Sequence, residues 1–315
     1  MIDKLSYIKS NMDRLDCKLD NLNFSNIIMP ASGCANYGKE LSEFYDLNLL
    51  GAIIVKSTTN VEYQGNNSHR IFETGNGMLN AIGLQNPGID TVLKEQLPWL
   101  KEQEAKVIVN LAGSDVDSYV EVAKKLEQNK DLLFAIELNV SCPNVKQGGI
   151  QFGQDPRVLK ELILQILNVT SIPVFVKLSP NVANIQEMAK AVEEAGAFGI
   201  SMINTLVGMA IDYKTGKPII DNKIAGYSGN AIKPVALRQI YQVRQVTNLP
   251  IIGIGGISSA TDVIEFLSVG ADLVAIGSAN FKNPNICIDV LYDLLQIMDD
   301  LNIKHVNEFR GRAHV

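Results

Sequence analysis

Eight short runs of β-branched and aliphatic residues recur along this 315-residue chain, each followed by a stretch with helical patterning. The runs are almost continuously apolar and show little alternation, which is typical of parallel strands covered on both faces. We therefore predict eight buried parallel strands. They lie at residues 26–29, 52–56, 107–111, 135–140, 174–178, 199–203, 251–254 and 273–276.

The segments between these runs carry helix signals. Apolar residues at positions 185, 188, 189 and 192 lie on one stripe of a helix. Asp115 is placed to cap a helix over 117–127, and Asp155, which a proline follows, is placed to cap the next. Gly196 and Gly270 stand where a helix ends in a left-handed residue.

Eight strand–helix units predict a closed (β/α)8 barrel, with an open doubly wound sheet as the alternative. Neither half of the chain resembles a separate domain, so we expect one barrel domain over residues 12–315. Residues 1–11 are predicted to form an N-terminal extension outside the fold, and Met12 is a second potential start.

Composition excludes several classes of protein. The formal net charge is −6, whereas a general nucleic-acid binder needs a basic surface. The apolar runs are far too short to span a bilayer, and the N-terminus lacks the apolar core of a signal peptide. The four cysteines are scattered, so neither a metal knuckle nor a disulfide framework is predicted. A reduced, cytoplasmic protein without a metal site is expected.

Two long connections follow the second and sixth strands, at residues 57–88 and 204–232. Both are rich in Gly, Asn and Thr. Long loops on a compact barrel usually cover a site, and barrel chemistry takes place at the carboxyl ends of the strands. The residues at those ends are therefore the first place to look for function.

Small residues follow the seventh and eighth strands: Gly255 and Gly256, then Gly277 and Ser278. Such residues let backbone N–H groups approach an anion, so they predict a phosphate site. The alternative is that the glycines only form tight turns. The sequence around 253–256 lacks a third glycine and the acidic partner of a dinucleotide fingerprint, which favours a mononucleotide-type phosphate.

Lys56 and Lys177 each close an otherwise apolar strand. One such lysine could extend to solvent, but two at corresponding barrel positions favour function. A fixed ammonium would stabilise negative charge on a bound ring, as on a reduced flavin.

Five amide side chains fall at strand ends or in the covering loop. An amide can pair with a heterocycle whose edge alternates N–H and C=O groups, such as a pyrimidine or a flavin. Any single Asn is explained equally well by turn chemistry. The five are Asn80, Asn110, Asn139, Asn144 and Asn204.

Cys142 differs from the other cysteines because it follows the fourth strand inside a polar loop. Its thiolate could act as a nucleophile or as a general base. None of the three histidines is placed beside it in the sequence, which favours proton abstraction over protease-like chemistry. Cys17, Cys34 and Cys287 are interpreted as inert packing residues.

Several of these segments resemble the class 1B dihydroorotate dehydrogenases. Residues 139–149 read NVSCPNVKQGG and are similar to the family's catalytic loop; residues 78–88 read MLNAIGLQNPG and resemble its substrate loop. Residues 176–181, 202–205 and 232–234 match further family stretches. The likeness runs from about residue 12 to about residue 300. His69 and Asn230 depart from the family pattern, because proline is usual at both positions.

The resemblance implies an FMN-containing barrel that oxidises (S)-dihydroorotate to orotate in pyrimidine biosynthesis. Cys142 would be the base that removes the C5 proton, and Lys177 would be the second catalytic residue. The implied substrate residues are Lys56, Asn80, Ala81, Ile82, Gly83, Leu84, Asn139, Asn144, Asn204 and Thr205. The implied FMN residues are Ser32, Lys56, Ser57, Asn110, Asn139, Lys177, Ile203, Gly229, Gly255, Gly256, Gly277 and Ser278.

Class 1B membership also implies a partner subunit that carries FAD and a [2Fe–2S] cluster and passes electrons to NAD⁺, around a homodimeric core. Four scattered cysteines cannot ligate such a cluster in this chain. Alternatives are a class 1A-type enzyme that reduces fumarate, a dihydropyrimidine dehydrogenase-like flavin subunit, a phosphate-binding barrel without flavin, and a non-catalytic flavin subunit.

Overall fold

A computed structural model of the chain describes residues 3–140 and 152–314. Most strands in this part of the chain belong to one barrel or to a smaller sheet beside it. In chain order they are β1 (Cys17–Leu19), β2 (Leu22–Phe24), β3 (Ile28–Pro30), β4 (Ile53–Ile54), β5 (Ile71–Thr74), β6 (Gly77–Asn80), β7 (Val107–Leu111), β8 (Ala135–Asn139), β9 (Val174–Lys177), β10 (Gly199–Met202), β11 (Leu206–Gly208), β12 (Ala225–Ser228), β13 (Ile251–Ile254) and β14 (Leu273–Ile276).

Eight of these strands form a parallel sheet in the order β3-β14-β13-β10-β9-β8-β7-β4. Its two end strands meet where the Gly51 N–H donates to the Ile28 carbonyl oxygen at 2.9 Å. A side chain at position 51 would not fit this seam, since its Cβ would lie 2.1 Å from the Asn26 carbonyl oxygen. The (β/α)8 prediction is confirmed, and each predicted strand overlaps one barrel strand. Every barrel-strand residue is buried, because helices cover one face and interior side chains the other.

The helices of the described residues surround the barrel. They are α1 (Lys4–Ser10), α2 (Lys39–Ser42), α3 (Ile89–Thr91), α4 (Leu97–Glu102), α5 (Val116–Glu127), α6 (Pro156–Leu167), α7 (Ile185–Glu194), α8 (Lys233–Arg244), α9 (Ala260–Ser268), α10 (Ala279–Lys282) and α11 (Ile286–Asp300). A π-helical turn at Val92–Gln96 joins α3 to α4 just before Pro98, which has no N–H to continue the regular ladder. None of the helices in residues 3–140 and 152–314 is both long and apolar enough to cross a bilayer.

The helix signals are confirmed. Asp115 caps α5 by accepting from the Ser118 N–H at 2.9 Å, and Ser118 returns the contact in a capping box. Asp155 caps α6. Gly196 and Gly270 have φ angles of 82° and 104°, the left-handed conformation that ends a helix at low cost in glycine.

The two long connections are not irregular, because they pair with each other. β5 and β6 come from the first, β11 and β12 come from the second, and together they form an antiparallel sheet in the order β11-β12-β6-β5. The link between the connections is the pairing of β12 with β6, which places Tyr227 opposite Leu79. Leu79, Ile220 and Ala225 form a small core of their own under this sheet.

The start of the chain packs on the barrel. Ile8 on α1 is fully buried, and Tyr7 stacks edge-on against Tyr292 of α11 with ring centroids 5.6 Å apart. The hairpin β1–β2 packs Phe24 edge-on against Phe134, just before β8, so it covers the amino ends of the strands. The structure thus places residues 3–11 against the fold rather than outside it, and the domain boundary at residue 12 stays a prediction.

Candidate active site

A polar cluster lies inside the barrel, among otherwise apolar strands. The Lys177 Nζ at the end of β9 is 3.2 Å from Oε1 of Glu137 on β8, and Asn110 on β7 donates from Nδ2 to the same oxygen. Glu137 and Asn110 are fully buried and Lys177 is 6% exposed. Burying an ion pair at such depth costs free energy, so a gain in stability is a weak explanation for its presence and a functional role is favoured.

Three polar atoms near this cluster have no partner among the described residues. They are Oδ1 of Asn110, Oε2 of Glu137 and Oγ of Ser201. Ser201 is the register partner of Lys177 on the neighbouring strand β10, so its side chain faces the same interior. Buried polar atoms normally find a partner, and unpaired ones indicate a ligand or a water that completes them.

Asn139 and Asn204 meet at the carboxyl ends of β8 and β10. The Asn204 Nδ2 lies 3.5 Å from the Asn139 Oδ1. Tyr119 donates to the Asn139 carbonyl oxygen at 2.7 Å and fixes the end of β8. Thr205 donates its N–H to the Asn204 Oδ1 at 2.7 Å, so the amide of Asn204 is held in one orientation. Two of the five predicted amides are thereby side by side.

Lys56 stands on the other side of the barrel mouth, near Cys34 and Arg70. Burial is the main cause that lowers the pKa of Lys56; Cys34 opposes the shift and Arg70 adds to it. Burial also raises the pKa of the Cys34 thiol to about 11, against the opposing fields of Lys177 and Lys56. Cys34 is therefore close enough to both predicted lysines for their charges to act on it, and it is half-buried, unlike the buried Cys17 and Cys287.

Lys56 also lines a cavity of about 400 Å³ under the first connection. Its other lining residues are Asn36, Glu62, Tyr63, Gln64, Gln85, Asn86 and Pro87. The cavity is predominantly polar, as expected of a site for a charged or heterocyclic ligand.

Residues 80–84, the part of the substrate loop that is predicted to contact the substrate, are held through their backbone. Asn66 donates its N–H to the Ile82 carbonyl at 2.9 Å and its Nδ2 to the Ala81 carbonyl at 2.9 Å. Gly83 and Leu84 adopt φ angles of 76° and 54°, so the loop turns sharply at these positions. The Asn80 side chain lies 3.5 Å from the Gly226 carbonyl of the second connection.

The glycine end of the site is tightly built. A Cβ on Gly256 would lie 2.8 Å from Lys233 Cβ, and one on Gly229 would lie 2.6 Å from Gly77 Cα. Gly277, in contrast, has Cys34 Sγ at 4.0 Å as the one non-neighbouring atom of the described residues within reach of where a Cβ would stand, so these residues leave space there. Gly229 and Ser278 line a second cavity of about 300 Å³ with Gly77, Met78 and Ser258.

The remaining predicted cofactor residues flank these features. Ser32 donates from Oγ to the Val55 carbonyl at 2.9 Å, which ties the end of β3 to the end of β4. Ser57 follows Lys56 and is half-buried. Ile203 packs within 3.2 Å of the Cβ position of Gly255, between the sixth and seventh barrel strands.

These residues fit FMN. A flavin mononucleotide has a phosphate, an imide N–H between two carbonyls, and a ring that gains negative charge when reduced. The glycine cradle suits the phosphate, the unpaired Asn110 Oδ1 suits an N–H donor, and Lys177 suits the negative charge.

Cys142 and Asn144 lie outside the described residues. The residues on either side of that segment pack together: Phe152 stacks edge-on against Tyr119 at 5.7 Å, and a Cβ on Gly153 would lie 2.9 Å from the Val140 carbonyl oxygen. The described residues on either side of it, Val140 and Phe152, therefore lie near each other and near Tyr119, which binds the Asn139 carbonyl oxygen.

Sequence reasoning missed three residues that build the site. Glu137 lies inside the predicted strand 135–140 and was not singled out, although a single acid inside an apolar strand is itself a signal. Asn86 is 4% exposed and holds the substrate loop by accepting from the Gly88 N–H at 2.9 Å. Asn66 had no signal, since Asn is common in loops.

A parallel barrel with a buried lysine–carboxylate pair, paired amides and a glycine cradle at its mouth is a (β/α)8 enzyme barrel. The family model for dihydroorotate dehydrogenase matches residues 14–298. The chain belongs to the dihydroorotate dehydrogenase family, and the resemblance read from its motifs is confirmed.

Relatives that cover nearly the whole chain agree with class 1B. The dihydroorotate dehydrogenase B (NAD(+)), catalytic subunit, of Malacoplasma penetrans is 55% identical over 304 residues, which are 96% of this chain and 99% of that protein. The protein of the same name from Anoxybacillus flavithermus is 55% identical over 302 residues, 96% of each chain. That of Geobacillus kaustophilus is 54% identical over the same length.

Proposed function

We propose that this chain is the FMN-binding catalytic subunit of a dihydroorotate dehydrogenase that oxidises (S)-dihydroorotate to orotate. The observation that carries the proposal is the buried cluster of Lys177, Glu137 and Asn110, which opens toward the paired amides of Asn139 and Asn204. It places a fixed cation and an unpaired acceptor beside groups that suit a pyrimidine ring, in a family of this activity.

The substrate is a pyrimidine ring with one carboxylate, and each part has a matching group. Asn139 and Asn204 pair with the amide edges of the ring. Lys56 supplies the charge for the carboxylate, and the backbone of residues 80–84, held by Asn66, closes over it. The sheet of the two long connections excludes water from the ring.

Cys142 acts as the general base that takes the proton from C5 of the substrate. The support is its place in the sequence, two residues after Val140 and three after Asn139. FMN, when bound, supplies the acceptor for the hydride from C6. Lys177 would stabilise the negative charge of the reduced flavin. Its ammonium is already held in place in a low-dielectric interior, so it does not have to reorient when that charge forms.

Electrons leave this chain through a partner subunit that carries FAD and a [2Fe–2S] cluster and reduces NAD⁺, on a homodimer of this chain. The words "catalytic subunit" and "NAD(+)" in the names of the relatives support a partner subunit and the use of NAD⁺, whereas the FAD, the cluster and the homodimer rest on the resemblance to class 1B.

An absorbance spectrum of the purified chain, followed by anaerobic addition of dihydroorotate, tests the proposal. We expect flavin bands that bleach on the addition. Parallel additions of dihydrouracil separate the dihydropyrimidine dehydrogenase alternative, and reoxidation by fumarate separates the class 1A alternative. A colourless protein that takes up no FMN, or bands that dihydroorotate leaves unchanged, would refute the proposal.

A further inference from the structure

We propose that Glu137 is a positioning residue that orients Asn110 and Lys177 toward the flavin and offsets part of the lysine's charge, so that the bound flavin has a lower reduction potential. This inference rests on the proposed function, because it assumes that FMN occupies the barrel mouth. It concerns a residue that no step of the proposed mechanism uses.

Glu137 joins two strands through one oxygen. Its Oε1 accepts from Lys177 Nζ at 3.2 Å on one side and from Asn110 Nδ2 on the other. Glu137 is itself fully buried, so bulk water does not compete with Lys177 and Asn110 for this oxygen. The carboxylate therefore restrains both side chains in the interior.

The contact with Glu137 decides which end of the Asn110 amide faces the site. A carboxylate accepts hydrogen bonds and donates none, so Asn110 must turn its Nδ2 toward Glu137. Its Oδ1 is then left as a buried acceptor with no partner in residues 3–140 and 152–314. The imide N–H of a flavin is the complementary donor. A neutral side chain at 137 would accept either orientation and would lose this selection.

The contact also sets the net charge beside the flavin. A lone buried ammonium would favour the reduced, anionic flavin strongly and raise its potential. A carboxylate 3.2 Å from Nζ cancels much of that field. The result is a flavin that takes a hydride from substrate and still releases electrons to a downstream acceptor.

The test is Glu137→Gln, which keeps the shape and removes the charge. Its readouts are the midpoint potential of the bound FMN and the affinity of the oxidised flavin for sulfite, a probe that adds at flavin N5 and binds more tightly as the potential rises. We expect sulfite to bind about tenfold more tightly and the potential to rise by about 30 mV, the two-electron equivalent of tenfold. FMN affinity should also fall, because Asn110 is no longer oriented.

Glu121→Gln is the matched control. Glu121 lies on α5, is half-exposed, pairs with Lys125 at 3.5 Å and accepts from Asn60 at 3.2 Å, so the same charge is removed at the surface and not in the buried cluster. Its potential and sulfite affinity should equal those of the native protein. If the native protein and this control bind FMN and bleach with dihydroorotate, the proposed function stands whatever Glu137→Gln does.

Sulfite affinity within twofold of native in a folded, flavin-loaded Glu137→Gln protein would overturn the inference, and so would a lower potential. If that variant is not recovered folded, Glu137→Asp decides, since it keeps the charge but withdraws it from Nζ. Sulfite binding at least twofold tighter than native supports the inference, and unchanged binding overturns it.

Discussion

Leu79 and Tyr227, from the two long connections over the barrel mouth, lie opposite each other as register partners in one antiparallel sheet. Leu79 is 2% exposed and forms a small core with Ile220 and Ala225, separate from the barrel core. The order of both connections thus depends on a few buried side chains that the barrel itself does not need.

Replacing Leu79 by Ala should loosen this cover and leave the barrel intact. Removing a buried leucine side chain costs about 2–5 kcal/mol, and here the cost falls on the small sheet. We expect KM for dihydroorotate to rise several-fold, residues 206–224 to be cleaved faster in limited proteolysis, and barrel unfolding to change little. An unchanged KM and cleavage rate would contradict a role for Leu79 in holding the cover.

Cys142→Ser should slow flavin reduction by dihydroorotate at least about 10²-fold near neutral pH, the lower end for loss of a positioned base. A serine hydroxyl is far harder to deprotonate than a thiol. The rate is followed by stopped-flow bleaching of the flavin. FMN content and orotate affinity serve as controls, and a native-like reduction rate would refute the assignment of Cys142 as the base.

Lys56 predicts a specific pH effect on substrate binding. Burial lowers the pKa of Lys56 in the folded protein. At pH values below that pKa the ammonium is present and holds the substrate carboxylate; as the pH rises through it, the charge is lost. KM should therefore rise with pH before the usual lysine value of about 10.4 is reached.

Lys56→Arg provides the comparison, because its guanidinium stays charged throughout this range. Its KM is expected to be higher at neutral pH but independent of alkaline pH. If the native alkaline rise persists in Lys56→Arg, another group is responsible. A kcat that varies while KM does not would point to the base instead.

Gly277→Ala should weaken FMN binding at least about tenfold, a loss of about 1.4 kcal/mol, while leaving the flavin-free protein as stable as native. The added methyl would lie 4.0 Å from Cys34 Sγ, with no other non-neighbouring atom of the described residues so near, and it would project into the space where the phosphate end of FMN is proposed to bind. The measurements are FMN titration by fluorescence quenching and thermal unfolding without FMN.

Gly256→Ala is expected to affect the flavin-free protein differently from Gly277→Ala. Gly256 has a φ of 79°, and its methyl would meet Lys233 at 2.8 Å, so the flavin-free fold itself should lose stability. Equal effects of the two substitutions on the flavin-free protein would show that the open space at Gly277 is not a ligand site.

The sequence predicted the barrel well because central parallel strands are buried on both faces and read as unbroken apolar runs. Residues 107–111, 251–254 and 273–276 match the observed strands in full. The strands β5, β6, β11 and β12 escaped prediction. They are short and partly exposed, and the pairing of β6 with β12 joins residues about 150 positions apart, which local patterning does not encode.

The types of residue that build the site could be predicted from the sequence, but the contacts among them could not. Lys177 and Asn110 were chosen because polar residues at strand ends stand out, yet the carboxylate between them was overlooked. His69 shows a different limit of prediction from the sequence. Its φ of 57° is one that a proline ring forbids, so the departure from the family pattern at this position accompanies a different local backbone.

Helix α1 carries a consequence for how the molecule assembles. Its binding surface is α11, where Tyr7 meets Tyr292 and Lys4 pairs with Asp289. Because α11 follows α1 by more than 270 residues along the chain, α1 cannot dock on this surface until the ribosome has made α11. The contact between α1 and α11 then joins two segments that are distant in the sequence.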